Sequence, residues 1–189
     1  GLGRASALLF AKEGARIVIA DTLVADGEET VRRIKDAGGD AIFVKTDVSR
    51  AAEVEAMVKK TIETCGRLDF ALNNAGISGQ QAPTADCTEE NWDRVISVNL
   101  KGVWLCMKYE IPQMLKQGGG SIVNMGSVAS LVGMPDSHPA YCASKGGVLL
   151  LTRSAALEYA TAGIRVNTLC PGVIQTPLLE DLLRKTGGG

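Results

Sequence analysis

Residues 16–45, RIVIADTLVADGEETVRRIKDAGGDAIFVK, form the pattern of a strand, a helix and a second strand. The runs RIVIA and AIFVK are short, apolar and rich in β-branched residues, as is typical of strands buried on both faces. Between them, a polar segment places Val31, Ile34 and Ala37 on one helical face and ends at a pair of glycines. Two strands joined by a crossover helix are predicted to be parallel.

The same alternation continues along the chain. Helices are predicted at 4–13 (with Ala5, Leu8 and Leu9 facing inward), at 50–65, from the capping residue Thr88 to about Lys116, and at 141–162; strands are predicted at 69–72, 121–125 and 164–169. Repeated strand–helix units predict one α/β domain over residues 1–189, with a parallel sheet covered by helices on both faces. Right-handed crossovers then bring the carboxyl ends of all strands to one edge, where ligands bind.

Composition excludes several classes of protein. Hydrophobic residues make up 46% of the chain and the formal net charge is −1, which predicts a globular protein without a strongly basic surface for nucleic acid. Five scattered cysteines and a single histidine predict neither a metal site nor a disulfide framework, and instead favour reduced thiols in a cytoplasmic protein. No apolar run approaches the ~18 residues of a membrane span, so no membrane association is expected.

Glycine, aspartate and asparagine lie where the predicted strands and helices meet. Gly1-Leu2-Gly3 before a helix resembles half of a phosphate-binding turn, in which glycine lets the backbone approach a pyrophosphate. Asp21 ends a strand 18 positions after Gly3, close to the offset of about 20 residues for a ribose-binding acid. A capping aspartate explains Asp21 equally well, and an ordinary turn explains residues 73–76, NNAG, when each is taken alone.

The clearest chemical signal is the pair Tyr141 and Lys145. Residues four apart share a helical face, and an ammonium near a phenol favours the phenolate that a general base requires. Ser127 leaves the preceding strand, where its hydroxyl can donate to a carbonyl oxygen that gains negative charge. A solvated surface pair is the alternative for Tyr141 and Lys145 in isolation. The order of these residues with Asp21 and residues 73–76 favours catalysis.

With these residues in place, the chain resembles the classical short-chain dehydrogenase/reductase family over essentially its whole length. The family motif TGxxxGxG is matched by its last three residues, NNAG and YxxxK are matched in full, and the catalytic serine falls on Ser127. The resemblance implies a Rossmann-like, doubly wound sheet. It assigns the catalytic residues Asn99, Ser127, Tyr141 and Lys145, and the cofactor-binding residues Gly1, Leu2, Gly3, Asp21, Asp47, Val48, Asn73, Ala75, Gly76, Tyr141, Lys145, Pro171, Gly172, Val173 and Thr176.

The resemblance also implies roles for these residues. Tyr141 is the acid/base, Lys145 favours its phenolate and holds the nicotinamide ribose, Ser127 orients the substrate oxygen, and Asn99 holds a water of a proton relay. The predicted function is therefore an NAD-dependent oxidoreductase that transfers a hydride between a secondary alcohol, or its ketone, and nicotinamide. Asp21 implies NAD over NADP, although Arg4 near the turn leaves some tolerance of NADP open. A catalytically silent dinucleotide-binding sensor or scaffold is the alternative.

The resemblance further predicts what surrounds the site. The family's first strand and last strand have no counterpart here, so we expect a fragment whose sheet is interrupted between the strands ending at Asp21 and Leu72. We expect such a fragment to fold poorly and to bind NAD weakly by itself. The two long helices are expected to form a homodimer or homotetramer through residues such as Trp104 and Leu150. Loops 77–87 and 128–140 and the region after Thr176 are expected to line the site of a small, cyclic alcohol.

Overall fold

The computed structural model describes residues 1–134, 138–176 and 179–180. The helices in these ranges are α1 (Leu2–Lys12), α2 (Val24–Asp36), α3 (Ala51–Cys65), α4 (Glu89–Ile96), α5 (Gly102–Lys116) and α6 (Pro139–Tyr159). The strands are β1 (Arg16–Asp21), β2 (Asp40–Lys45), β3 (Phe70–Asn73), β4 (Gly120–Met125) and β5 (Ile164–Leu169). Short 3₁₀ turns cover Thr84–Asp86, Val128–Ser130 and Ala160–Ala162. The alternating order confirms the predicted α/β class.

All of the strand pairing in the described ranges is parallel. β1 pairs with β2 from Arg16 opposite Asp40 to Asp21 opposite Lys45, while β4 pairs with β3 on one side and β5 on the other. Hydrogen bonds link β1 to β2 and, separately, β3 to β4 to β5, and the described residues contain no pairing between β1 and β3. The sheet is thus interrupted at the predicted point, and its strands end together at one edge.

Helices cover the strands with apolar side chains. Val103, Met107, Ile111 and Met114 of α5 pack with Ile122 of β4 and with residues of α6 and β5 in the largest cluster. α1 and α2 cover the other pair of strands through a smaller cluster, formed by Ala7, Ile17, Ile34 and Ala41. A third cluster, comprising Val54, Leu105 and Cys106, joins α3 to α5.

Two inward faces differ from the sequence prediction. In α1, Leu8 packs against the core as predicted, whereas Ala5 and Leu9 are exposed. The inward side is completed by Ala7 and Ala11, whose short side chains let α1 lie close to the cluster around Ile34. In α2, Ile34 is buried as predicted, but Ala37 follows the last helical residue and is exposed.

The long helix predicted from Thr88 to Lys116 is continuous but not uniform. The Thr88 hydroxyl caps α4 as predicted, accepting from the Asn91 N–H at 3.2 Å. Between α4 and α5, residues Ser97–Lys101 form a π-helical turn, which is wider than an α-helical turn and is often found at functional sites. Nowhere in the described ranges does a helix combine the length and the apolar character that a membrane crossing requires.

Candidate active site

Tyr141 and Lys145 lie one turn apart near the start of α6. Lys145 is only 3% exposed, and its Nζ lies 5.7 Å from the centre of the Tyr141 ring. The Nζ donates a hydrogen bond of 2.7 Å to the main-chain carbonyl of Met125, at the end of β4. Burial lowers the pKa of Lys145 to about 8, and the nearby Cys170 thiol opposes this effect. The pair is therefore not the solvated surface pair that the sequence had left open.

Ser127 lies two residues after the end of β4 and caps the 3₁₀ turn over Val128–Ser130. Its Oγ accepts from the Ala129 N–H at 3.2 Å, which leaves the hydroxyl hydrogen free to be donated to a ligand. The Ser130 Oγ accepts from the Ser127 N–H at 3.1 Å and donates to the Lys145 carbonyl at 2.8 Å. Ser130 thus joins two predicted catalytic residues. Ser130 was not among the residues predicted from the sequence, although the sequence shows the S-x-x-S spacing of a reciprocal helix cap.

Asn99 lies in the π-helical turn and is completely buried. Its Oδ1 accepts from the Ile77 N–H at 2.8 Å, and its Nδ2 donates to the Ile77 carbonyl at 2.9 Å and to the Ser144 Oγ at 3.1 Å. A side chain on Gly76 would place its Cβ 3.3 Å from the Asn99 Oδ1 and 3.4 Å from the Lys145 Nζ. Asn99 and Lys145 are therefore brought together around Gly76. The proposed water relay through Asn99 stays a prediction.

Residues 73–76 connect the catalytic groups to the predicted phosphate turn. The Asn74 side chain lies against Gly3, where an added Cβ would be 2.9 Å from the Asn74 Nδ2. Gly1 is the residue before α1, so Gly1-Leu2-Gly3 stands at the N-terminus of that helix. Gly1-Leu2-Gly3 thus combines two features of an anion site, namely a helix N-terminus and close backbone approach.

Behind this loop lies a buried carboxyl group that the sequence analysis missed. Asn73 donates to the Glu110 Oε2 at 3.1 Å and to the Asn124 Oδ1 at 2.9 Å. Burial raises the pKa of Glu110 to about 7, and the Asn73 hydrogen bond opposes this rise. Burial and the Glu110 charge also raise the pKa of the Cys106 thiol, one turn earlier on α5. A glutamate in a helical pattern normally marks a surface position, so no sequence signal separated Glu110 from exposed acids.

Asp21 lies exposed at the carboxyl end of β1. Its Oδ1 accepts from the Leu23 N–H at 3.0 Å, so the turn interpretation and the ribose interpretation are compatible, because Oδ2 remains available. The Arg4 guanidinium donates to the Asp26 carboxylate and to the Thr30 hydroxyl, both at 2.9 Å. The cation considered as a partner for a 2′-phosphate is therefore engaged with α2.

The remaining predicted cofactor contacts lie on two loops. The Asp47 Oδ1 accepts from the Ser49 hydroxyl at 2.7 Å and from the Ser49 N–H at 2.9 Å, and these bonds lower the pKa of Asp47. Val48 packs against Gly102. A Cβ added to Gly102 would lie 2.8 Å from the Val48 Cγ2, which is closer than normal packing allows.

The Pro171 segment lies next to the Ser127 segment. The Pro171 carbonyl accepts from the Val128 N–H at 2.8 Å, while Gly172 and Val173 are exposed. The Thr176 Oγ1 accepts from the Leu179 N–H at 3.3 Å. Residues 135–137 of the predicted substrate loop and most of the region after Thr176 lie outside the described residues.

Known proteins that are similar in sequence and structure indicate the family of this chain. A family model described as enoyl-(acyl carrier protein) reductase matches residues 1–186. A short chain dehydrogenase/reductase from Aspergillus oryzae is 42% identical over 99% of this chain and 72% of its own length. The chain belongs to the classical short-chain dehydrogenase/reductase family. Cyclohexanol dehydrogenase from an Acinetobacter species is 41% identical to this family member over 96% of the chain and 72% of the relative.

A crystal structure of levodione reductase superposes on this family member with a TM-score of 0.96. The two are 39% identical, and the match covers 98% of this chain and 72% of that one. The neighbour and the family model together establish a Rossmann-like oxidoreductase. A short-chain dehydrogenase/reductase uses a nicotinamide dinucleotide, which when bound supplies the hydride acceptor or donor.

The described residues fit such a cofactor. Gly76 leaves open the space beside the Lys145 Nζ that a side chain would fill, and Gly1-Leu2-Gly3 stands at the N-terminus of α1. Asp21 and Gly172 are exposed at the carboxyl edge of the strands, at the two ends expected for adenosine and nicotinamide. No group of three or more histidine, cysteine or acidic side chains within the described ranges is placed to hold a metal ion, and the expectation that none is needed stays a prediction.

Proposed function

We propose that this protein is an NAD-dependent oxidoreductase that interconverts a secondary alcohol and its ketone, with Tyr141 as the acid/base. The observation that carries the proposal is the buried Lys145 ammonium, 5.7 Å from the Tyr141 ring and held by the Met125 carbonyl. This position places a buried cation beside the proposed acid/base, whose hydroxyl oxygen can exchange a proton with an alcohol. A catalytically silent dinucleotide-binding protein could use Lys145 to hold the cofactor ribose, but it would not need Tyr141 beside this lysine.

Ser127 and Tyr141 have complementary tasks in this proposal. In alcohol oxidation the hydroxyl proton passes to the Tyr141 oxygen, and in ketone reduction Tyr141 returns it. The free hydrogen of the Ser127 hydroxyl can be donated to the substrate oxygen, which stabilises the negative charge that this oxygen carries during the reaction. Because Ser130 ties the main chains of both Ser127 and Lys145, the two groups are held in place before substrate arrives.

The preference for NAD rests on Asp21. A free carboxylate oxygen there can accept hydrogen bonds from the adenosine ribose hydroxyls and would repel a 2′-phosphate. Arg4 supports the same preference, because its guanidinium already pairs with Asp26 and bonds to Thr30.

The proposed substrate is a cyclic, largely apolar secondary alcohol. Relatives named for cyclohexanol and levodione support a ring-shaped substrate. The segment after Ser127 leaves Leu131, Val132 and Met134 exposed, and the segment after Gly172 leaves Val173 and Ile174 exposed. These side chains offer apolar surface close in sequence to the proposed hydroxyl donor, as a ligand pocket requires.

We also propose a cytoplasmic homodimer or homotetramer. Trp104 and Leu150 are exposed on α5 and α6. A largely apolar groove lies between residues 96–104 and α6, and it is lined by Ile96, Leu100, Lys101, Trp104, Gly147 and Leu151. Leu105 and Met107 pack internally, so only part of the predicted apolar surface is available to a second copy. The cytoplasmic location is supported by the five cysteines, which are all free thiols. Neither nucleic acid nor membrane is proposed as a partner.

The test is turnover by the full-length protein with NAD and a panel of cyclic secondary alcohols, followed through the absorbance of NADH. Wild-type protein is expected to be active, and Tyr141→Phe is expected to lose activity by at least about 100-fold, the usual contribution of a positioned acid/base. NAD binding by the variant should persist, which calorimetry can measure. Wild-type protein that binds NAD but oxidises no member of the panel would favour the sensor.

A further inference from the structure

The loop that follows residues 73–76 is held by the same hydrogen-bond arrangement twice. At the first position, the Asn99 side-chain amide accepts from the Ile77 N–H and donates to the Ile77 carbonyl, at 2.8 and 2.9 Å. At the second, the Asn91 amide accepts from the Gln80 N–H at 2.8 Å and donates to the Gln80 carbonyl at 3.3 Å. Each asparagine thus binds both main-chain groups of one loop residue, as a neighbouring strand would.

Both asparagines belong to one buried stripe of the helix. Asn91, Val95 and Asn99 follow one another at intervals of four residues, and they are 5%, 0% and 0% exposed. The loop passes over this stripe with a glycine before each bound residue. Gly79 has a φ of +75°, and an added Cβ would lie 2.5 Å from the Val95 Cγ2 and 2.9 Å from the Asn91 Oδ1. The close approach therefore depends on glycine at this position.

We infer that Asn91 is a positioning residue that fixes the substrate-side loop, Ile77–Pro83, against α4 for the proposed reaction. Asn99 holds the start of this loop beside Lys145, whereas Asn91 holds it three residues further along, away from the catalytic lysine. Without Asn91, the loop would lose the two hydrogen bonds that join the Gln80 main chain to α4. The inference rests on the proposed function, because it treats this loop as a wall of the alcohol site.

This role predicts that changes at Asn91 and changes at Asn99 affect different kinetic constants. Loss of Asn91 should raise the KM for the alcohol and leave kcat and the KM for NAD nearly unchanged, since the acid/base groups are not touched. Removing a buried hydrogen-bond partner corresponds to a change of about 10-fold in KM. Changes at Asn99 should instead reduce kcat, because Asn99 lies at Gly76 and Lys145.

The experiment uses the full-length protein with NAD and cyclohexanol, and compares Asn91→Ala, Asn91→Asp and a control, Glu90→Ala. Asn91→Asp keeps an acceptor for the Gln80 N–H and places a carboxylate in the first turn of α4, which the helix dipole favours, but it removes the donor to the Gln80 carbonyl. We expect the KM for cyclohexanol to rise about 10-fold in Asn91→Ala and about 3-fold in Asn91→Asp. The exposed Glu90 has no role in the attachment, so Glu90→Ala should match wild type.

Hydrogen exchange measured by mass spectrometry on the same proteins reports on the loop without using activity. Exchange over residues 77–83 should be faster in Asn91→Ala and near the wild-type rate in Glu90→Ala. Unchanged exchange in Asn91→Ala would overturn the inference, and so would faster exchange with an unchanged KM for cyclohexanol. Equal losses for alcohol and NAD would indicate a structural role and also overturn it. Wild-type protein inactive on all cyclic alcohols would overturn the proposed function, and the positioning role with it.

Discussion

Replacing Glu110 by glutamine should stabilise the protein in a strongly pH-dependent way. The Glu110 carboxyl is 3% exposed, and the hydrogen bond it accepts in the described structure comes from the Asn73 side chain. Glutamine has nearly the same shape and retains an oxygen that can accept this bond. It carries no charge at any pH, so the substitution isolates the cost of a buried carboxylate.

The size and sign of the effect follow from the pKa of Glu110. Burial raises it from an ordinary value of 4.5 to about 7 in the folded protein. At about 1.4 kcal/mol for each pKa unit, this difference corresponds to about 3 kcal/mol. Because the folded state binds the proton more tightly than the unfolded state, wild-type stability falls as pH rises from about 4.5 to about 7. The titratable group that faces Glu110 from its own helix is the Cys106 thiol, and Asn73 and Asn124 of the neighbouring strands are uncharged.

Urea unfolding followed by the fluorescence of Trp92 and Trp104 measures this difference in the full-length protein. Glu110→Gln should gain about 3 kcal/mol over wild type near pH 8, and the gain should shrink towards zero near pH 4. The control is Glu90→Gln, which makes the same chemical change at an exposed position of α4 and should show no such gain. A gain that is independent of pH, or that is larger in acid, would refute the assignment of a buried, proton-binding Glu110.

Three further outcomes test the site. Asp21→Ala should lower the preference for NAD over NADP by at least about 10-fold, because the carboxylate that repels a 2′-phosphate is gone. The preference is measured as the ratio of the kcat/KM values for the two cofactors, and an unchanged ratio would contradict the role of Asp21. Lys145→Met should reduce kcat by about 100-fold or more, since the buried cation beside the proposed acid/base is then gone, and near-normal kcat would exclude a catalytic role for Lys145. Ser130→Ala should reduce kcat about 10-fold while circular dichroism stays native, because Ser127 and Lys145 lose their shared support; full activity would show that the link is dispensable.

The sequence was most informative where regular patterns and short motifs coincide. The strands RIVIA and AIFVK, the Thr88 cap and the Tyr141–Lys145 pair lie where they were predicted. Hydrophobic periodicity predicts that a helix forms more reliably than it predicts which side of the helix faces the core. The exposed Leu9 of α1, which was predicted to face inward, illustrates this. The inward face there is decided by how closely alanines allow α1 to approach its neighbours, which only the assembled fold determines.

Three residues of the site were not predicted from the sequence, for a different reason. Asn91, Ser130 and Glu110 act through partners that are 11, 15 and 37 positions away in the chain. Each is a common polar residue in a polar or helical context, so its type alone does not distinguish burial from exposure. Ser130 had a local spacing signal, whereas Glu110 and Asn91 had none that sets them apart from surface residues. Their importance depends on tertiary contacts made by β3 and by the loop after it.

The wide turn at Ser97–Lys101 holds about one residue more than an ordinary α-helical turn. Because the extra residue is taken up by the widening, α4 and α5 keep the relative orientation that an uninterrupted helix would give them. Removing one residue there would therefore restore ordinary α-helical bonding and leave Asn91 and Val95 facing the loop and Met107 facing the core. The deletion would instead remove the local widening from which the buried Asn99 side chain reaches the Ile77 main chain. In a chimaera with another short-chain dehydrogenase/reductase, this turn should be transferred together with the Ile77 loop that it holds.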